Sequence, residues 1–260
     1  MEPGGPSSEQ RSLPRLAIGT LGLLAAAKLL VHLAAISRYG YFRDELYYLA
    51  CADHLGWGYV EHPPLSIAVL AAVRAVLGDS LVALRIVPVL AGMVIIFLVG
   101  ALTRRLGGGR FAQGLAGLCA LAAPVFLGQD RYYSMNAFDL LFWTLAAWAL
   151  VRALEGGAPR HWIALGGVLG LGLLNKISLL WFGGGLFVGL LLTPHRRVLR
   201  TGWPWVAGGI ASLLFLPYLI WQMQHGWPVR EFMHNATSRK GVRRGVRGTC
   251  RHDDGSLLGQ

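Results

Sequence analysis

Apolar runs about as long as a bilayer is thick punctuate this chain. An α-helix needs roughly 20 residues to cross the hydrocarbon. Stretches at 16–36, 81–103, 111–128, 137–154, 162–175, 177–193 and 203–222 meet or approach that length with few charges inside them. Without water, each backbone N–H and C=O must find its partner within the protein, and a helix does this locally. The expected fold class is therefore all-α, a polytopic transmembrane helical bundle. Glycine agrees with it. The 35 Gly in 260 residues are unusual for soluble helices but common where transmembrane helices pack closely.

Charge then sets the topology. The chain is 54% hydrophobic and carries 24 Lys and Arg against 13 Asp and Glu. Most of the cations lie in short loops, where they orient spans, and there is no soluble basic domain to hold a nucleic acid. No nucleic-acid partner is expected; the lipid bilayer is. The clusters Arg104-Arg105 with Arg110, Arg152 with Arg160-His161, and His195-Arg196-Arg197 with Arg200 fall on one face, together with Arg11 and Arg15. The positive-inside rule makes that face cytoplasmic.

This threading closes only if Pro64–Leu77, short and carrying Arg74, does not cross. Residues 37–80 then form one large outer loop carrying juxtamembrane helices. Residues 1–12 read as a disordered tail, 13–240 as the membrane domain, and 241–260 as a basic, disordered or out-of-register tail. The first span lacks a signal-peptide cleavage site and is expected to stay. Cys51, Cys119 and Cys250 show no metal or disulfide spacing.

The remaining polar residues gather on the outer face. They are Asp44, Glu45, Glu61 and His62 in the first loop, Asp130 and Arg131 in the second, and Asn175-Lys176 in the third, with Asp139 about one turn inside a span. In Arg43-Asp44-Glu45-Leu46-Tyr47-Tyr48, helical spacing puts Asp44, Tyr48 and Cys51 on one face. Two acids there either favour the helix dipole or supply a general base that takes the proton of a hydroxyl nucleophile. Glu61-His62-Pro63-Pro64-Leu65 is either a structural turn or a place where Glu61 keeps His62 charged beside an anion. The Tyr132-Tyr133 pair fits an interfacial belt. Asp139 needs a partner, and Arg131 or Lys176 is available. Leu174-Asn175-Lys176 is either a turn or a phosphate contact. Lys28, inside the first span, has a long reach if it snorkels outward.

Together, Asp44-Glu45 with Tyr47-Tyr48, Glu61-His62-Pro63-Pro64-Leu65, Asp139 and Leu174-Asn175-Lys176 resemble the bacterial members of glycosyltransferase family 39. These include dolichyl-phosphate-mannose protein mannosyltransferase-like enzymes, aminoarabinose transferases and Rgt-type galacturonosyl transferases of the GT-C class. The resemblance covers roughly residues 15–240. It implies inverting transfer of a sugar from a polyprenyl-phosphate donor to an acceptor hydroxyl (lipid, glycan or protein), at the outer face of a bacterial inner membrane, periplasmic or exterior.

By that resemblance Asp44 is the catalytic base and Glu45 its companion. Lys176, His62 and Arg131 would hold the donor phosphate, with Glu61, Asp139 and Tyr48 in support. Many relatives carry Lys where His62 stands. No cofactor is implied; Asp44, Glu45 and Glu61 could hold a divalent cation, but the sequence does not require one. Relatives continue through further spans, so the chain reads as C-terminally truncated, with the acceptor-binding part missing. The alternative is a transporter or flippase-like protein, in which Lys28, Asp139 and Lys176 line a pathway, or an inactive truncated relative.

Overall fold

The structure, a computed structural model, describes residues 13–156 and 158–235. The proposed tails at 1–12 and 241–260, and Cys250, lie outside the described residues. Among the described residues the chain runs through α1 (Ile18–Ala35), α2 (Arg43–Ala52), α3 (Leu65–Leu77), α4 (Leu81–Arg105), α5 (Arg110–Ala122), α6 (Pro124–Gln129), α7 (Met135–Gly156), α8 (Pro159–Asn175), α9 (Leu179–Leu192) and α10 (Trp203–Gln224), and residues 228–235 are helical too. A 3₁₀ turn, Pro194–Arg200, precedes α10.

Four of these, α1, α4, α7 and α10, are long and apolar enough to cross a membrane. The other expected spans come out shorter. The run 111–128 is broken between α5 and α6, where Ala123 is extended and Pro124 opens the next helix. Proline disfavours the helical conformation in the residue before it and starts a helix well, so the break is local chemistry. Helix α9 has 14 residues, or about 21 Å at 1.5 Å per residue.

Helix ends sort into two groups at opposite ends of the bundle. At one end, Gln113 Oε1 accepts from the Ala17 amide at 2.9 Å, Arg104 donates to the Pro14 carbonyl, and Arg105 pairs with Glu155 at 2.9 Å. Two of the three arginine loops expected to share a face, at 104–110 and after α7, thus meet there. At the other end lie the α1–α2 connection, α2, α3, the α6–α7 connection and the α8–α9 turn. Helix α3 stays at this end, and Arg74 ties it to α2 by bonding Asp53 and the Leu49 carbonyl, and also bonds Asp79. Its 13 residues amount to about 20 Å, short of a crossing.

Small residues bring the remaining helices together. A Cβ on Gly166 would sit 2.6 Å from the Ala207 carbonyl oxygen, and one on Gly170 would sit 3.1 Å from the Ala211 Cα. Helices α8 and α10 therefore meet backbone to backbone along a small-xxx-small stripe, the usual way membrane helices gain dispersion contacts. Trp162, Leu165, Phe215 and Tyr218 fill the core around it.

Candidate active site

Glu45 organises the end of the bundle where α2 sits. Its Oε2 accepts from the Phe42 amide at 2.8 Å, closing the first turn of α2 in the manner of a capping-box glutamate. Oε1 accepts from the Tyr133 amide at 3.1 Å, and both oxygens accept from Arg85 of α4, at 2.7 and 2.9 Å. Arg85 spends its other donors on the carbonyls of Ile36, Tyr39 and Gly40. Burial alone would raise the Glu45 pKa. The Arg85 bond, with the Phe42 and Tyr133 amides, outweighs it and holds the carboxyl below its ordinary range.

The Glu45 side chain is wholly buried with both oxygens engaged, so these bonds position α2 against α4, whereas its neighbour Asp44 lies nearer the surface. Among the described residues, no group of three or more His, Cys, Asp or Glu could hold a metal ion.

Asp44, one residue back, faces outward and is half-exposed, with Arg43 at 3.3 Å. Glu61 comes into its field. Partial burial first, then the Asp44 charge, push the Glu61 carboxyl above its ordinary value. Two carboxylates from opposite ends of the α2–α3 segment thus share one electrostatic environment. Below them, the Tyr48 hydroxyl accepts from the Met135 amide at 3.1 Å and joins α2 to the start of α7.

Met135 and Asn136 carry the connection across to the α8–α9 turn. The Asn175 side chain donates to the Met135 carbonyl at 2.9 Å, and Lys176 Nζ donates to Asn136 Oδ1 at 2.7 Å. Lys176 also lies 3.3 Å from Asp139, whose other oxygen accepts from Ser178 at 2.5 Å. Of the two partners considered for Asp139, the structure selects Lys176. Tyr48, Met135, Asn136, Asp139 and Lys176 are therefore linked at one end of the bundle, and the charges of Asp44 and Glu61 act on Tyr48. Beside them an apolar cavity of about 340 Å³ opens between Leu55, Trp57, Pro64, Leu65 and Leu174.

His62 departs from expectation. It is buried, stacked on Tyr48 at 4.9 Å and flanked by Tyr47 and Tyr59. Its Nδ1 donates to the Pro63 carbonyl at 3.0 Å. Burial lowers its pKa, so near neutral pH the ring is uncharged, the reverse of a cation held by Glu61. Arg131 is also elsewhere: its guanidinium lies over the Tyr39 ring, 5.5 Å from the centroid, on the α1–α2 side.

Sequence reasoning missed two features. Lys28 does not snorkel; it meets Asp130 at 2.6 Å with both side chains fully buried. Gly92 makes room, since a Cβ there would lie 2.2 Å from Asp130 Oδ2 and 2.3 Å from Lys28 Cε. Arg85 was passed over because it sits five residues into an apolar run and has no motif around it. The only available signal was an arginine inside a span, which calls for a buried partner.

The family model for dolichyl-phosphate-mannose-protein mannosyltransferase matches residues 61–221. The chain belongs to this family. Among its relatives is the polyprenol-phosphate-mannose–protein mannosyltransferase of Corynebacterium glutamicum, 38% identical over 97 residues, which cover 37% of this chain and 19% of that protein. The undecaprenyl phosphate-α-4-amino-4-deoxy-L-arabinose arabinosyl transferase of Pseudomonas aeruginosa is 26% identical over 221 residues, 78% of this chain and 35% of that one. A lipid A galacturonosyltransferase of Rhizobium johnstonii is 26% identical over 190 residues, 71% of this chain and 39% of that one. This chain thus spans well under half the length of these curated relatives. In three dimensions it is similar to the Saccharomyces cerevisiae protein O-mannosyltransferase Pmt1-Pmt2 complex bound to the sugar donor, with a TM-score of 0.60 and 18% identity over 86% of this chain and 36% of that one. At that identity the likeness establishes the fold alone.

Proposed function

We propose that this protein belongs to a reaction that moves a sugar from a polyprenyl-phosphate donor to an acceptor hydroxyl, at the end of the bundle where α2 and α3 lie. The observation that supports this reading is that Asp44 and Glu61 act electrostatically on Tyr48, which bonds the start of α7, where Asn136 and Asp139 hold Lys176. The acceptor oxygen attacks the anomeric carbon and its proton passes to Asp44. The bond from that carbon to the phosphate oxygen breaks, and the electron pair leaves with the polyprenyl phosphate. Lys176, exposed on one side and oriented by Asn136 and Asp139, meets the growing phosphate charge as a point cation. The apolar cavity beside Leu174 is placed to take the first isoprene units, two residues from that lysine.

The acceptor's identity and the sugar are left open by this chemistry. The Arg104–Arg105 cluster, paired with Glu155 and with the chain before α1 at the far end, supports a bacterial inner membrane with the site facing the periplasm or exterior. Transport would need charged groups along an open path. The fully buried pair of Lys28 with Asp130 is instead sealed against Gly92.

Membranes carrying the protein, given radiolabelled polyprenyl-phosphate sugars and mixed lipid or peptide acceptors, test the reading. Replacing a general base should cost about 10²–10⁴ in rate. Asp44→Asn should therefore fall by that much, and Lys176→Ala should weaken donor use. Transfer by Asp44→Asn at the unsubstituted rate would remove Asp44 as the base.

A further inference from the structure

A second cavity, of about 290 Å³ and lined by other residues than the one beside Leu174, is not used by the transfer chemistry. Tyr39, Tyr41 and Phe42 of the α1–α2 connection form one wall, Arg131 and Tyr132 the other, and Arg85 the floor. Ala35 at the end of α1 makes its edge continuous with a helix long and apolar enough to cross the bilayer.

The walls are fixed. The Tyr41 hydroxyl donates to the Asp79 carbonyl at 3.1 Å, the Tyr132 hydroxyl to Gln129 at 3.2 Å, and the Phe42 and Tyr132 rings lie 4.8 Å apart. Arg85 is neutralised by Glu45 and its donors are spent. Arg131 differs. It rests on the Tyr39 ring and makes no hydrogen bond or ion pair among the described residues. No carboxylate lines the cavity, so its contents see one uncompensated positive charge.

A guanidinium steadied on an aromatic face presents its N–H edge as a fork suited to two phosphate oxygens. Aromatic walls at the membrane boundary suit the glycerol and upper acyl carbons that adjoin a lipid phosphate. We propose that this cavity binds the phosphate of an anionic phospholipid, with Arg131 as its ligand. The proposal does not depend on the transfer reaction and places the lipid apart from the donor.

The test titrates the purified full chain in detergent with short-chain phosphatidylglycerol, short-chain phosphatidylcholine and inorganic phosphate, counting bound molecules by native mass spectrometry. One charge-assisted bidentate contact corresponds to about a 10–100-fold change in affinity. Arg131→Ala should lose that much for phosphatidylglycerol with an unchanged helical spectrum, since its side chain is exposed. Arg131→Lys should fall between, and Asp44→Asn should bind as the unsubstituted protein does. Equal retention of phosphatidylglycerol by Arg131→Ala, or no preference for it over phosphatidylcholine, overturns the proposal. Inorganic phosphate binding as tightly as the lipid overturns it too, by making the site one for a soluble anion.

Discussion

Replacing Arg85 by Met should expose how much of this architecture rests on one buried ion pair. Met keeps the length and apolar stem of Arg85 but removes five hydrogen bonds, two to Glu45 and three to the carbonyls of Ile36, Tyr39 and Gly40. The Glu45 carboxylate would then be buried with only the Phe42 and Tyr133 amides for company. Removing one partner of a buried pair typically costs about 3–5 kcal/mol, because the other charge is stranded, and that is the expected loss here.

The pH dependence carries the sharper signature. In the unsubstituted protein the folded Glu45 pKa lies below its unfolded value of 4.5. Its contribution is therefore complete above that value and is lost as pH falls through the depressed folded pKa. In Arg85→Met, burial acts with less opposition and raises the folded pKa above the unfolded one. The penalty then shrinks as the medium is acidified and the carboxyl takes a proton. Adding Glu45→Gln to Arg85→Met should recover about 1–3 kcal/mol, because no buried charge remains. Detergent-solubilised protein unfolded by heat or by added dodecyl sulfate, from neutral to mildly acidic pH, measures all three proteins. A midpoint for Arg85→Met equal to the unsubstituted one, or a loss that grows on acidification as the parent's does, would refute this account of the clamp.

Other perturbations follow from the same geometry. Gly92→Ala should destabilise by about 1–3 kcal/mol, an overpacking cost, because its methyl lands on Asp130 and Lys28; a thermal midpoint unchanged from the parent would contradict the close approach. Gly58→Ala should loosen the α2–α3 segment from α10, since its Cβ would lie 2.4 Å from the Trp221 ring, and proteolysis between α2 and α3 should quicken. His62, uncharged near neutrality, should show no imidazole titration at the ordinary value of 6.5 when followed by nitrogen-labelled histidine spectra, its transition lying at lower pH. Asp139→Asn should keep the Ser178 contact but free Lys176, weakening donor saturation more than turnover in the transfer assay.

The bundle was legible in the sequence because spans obey a one-dimensional rule: apolar length and flanking charge suffice for α1, α4, α7 and α10. Even the odd segment at Pro64–Leu77 declared itself through its short length and its arginine. What the pattern could not supply was partner choice. Asp44 and Glu45 are neighbours of the same chemical type, yet a rotation of about 100° per residue sends one outward and the other into Arg85. Choosing between them requires knowing which face of α2 meets α4, a fact held by residues forty positions apart.

Lys28 shows the same limit from the other side. A lone lysine inside a span is ambiguous until an acid is found for it. Asp130 is visible in the sequence, but its place beside Arg131 points to the outer surface. The decisive residue was neither of them but Gly92, whose missing side chain gives the ion pair its space. Because Asp130 is fixed there, the chain that follows is held in register for Tyr133 to donate to Glu45, for Met135 to reach Tyr48 and for Asn136 to hold Lys176. One buried pair thus anchors the connection on which both halves of the candidate site depend. A mutation at Gly92 should therefore disturb Lys176 as well as stability, although the two residues share no contact.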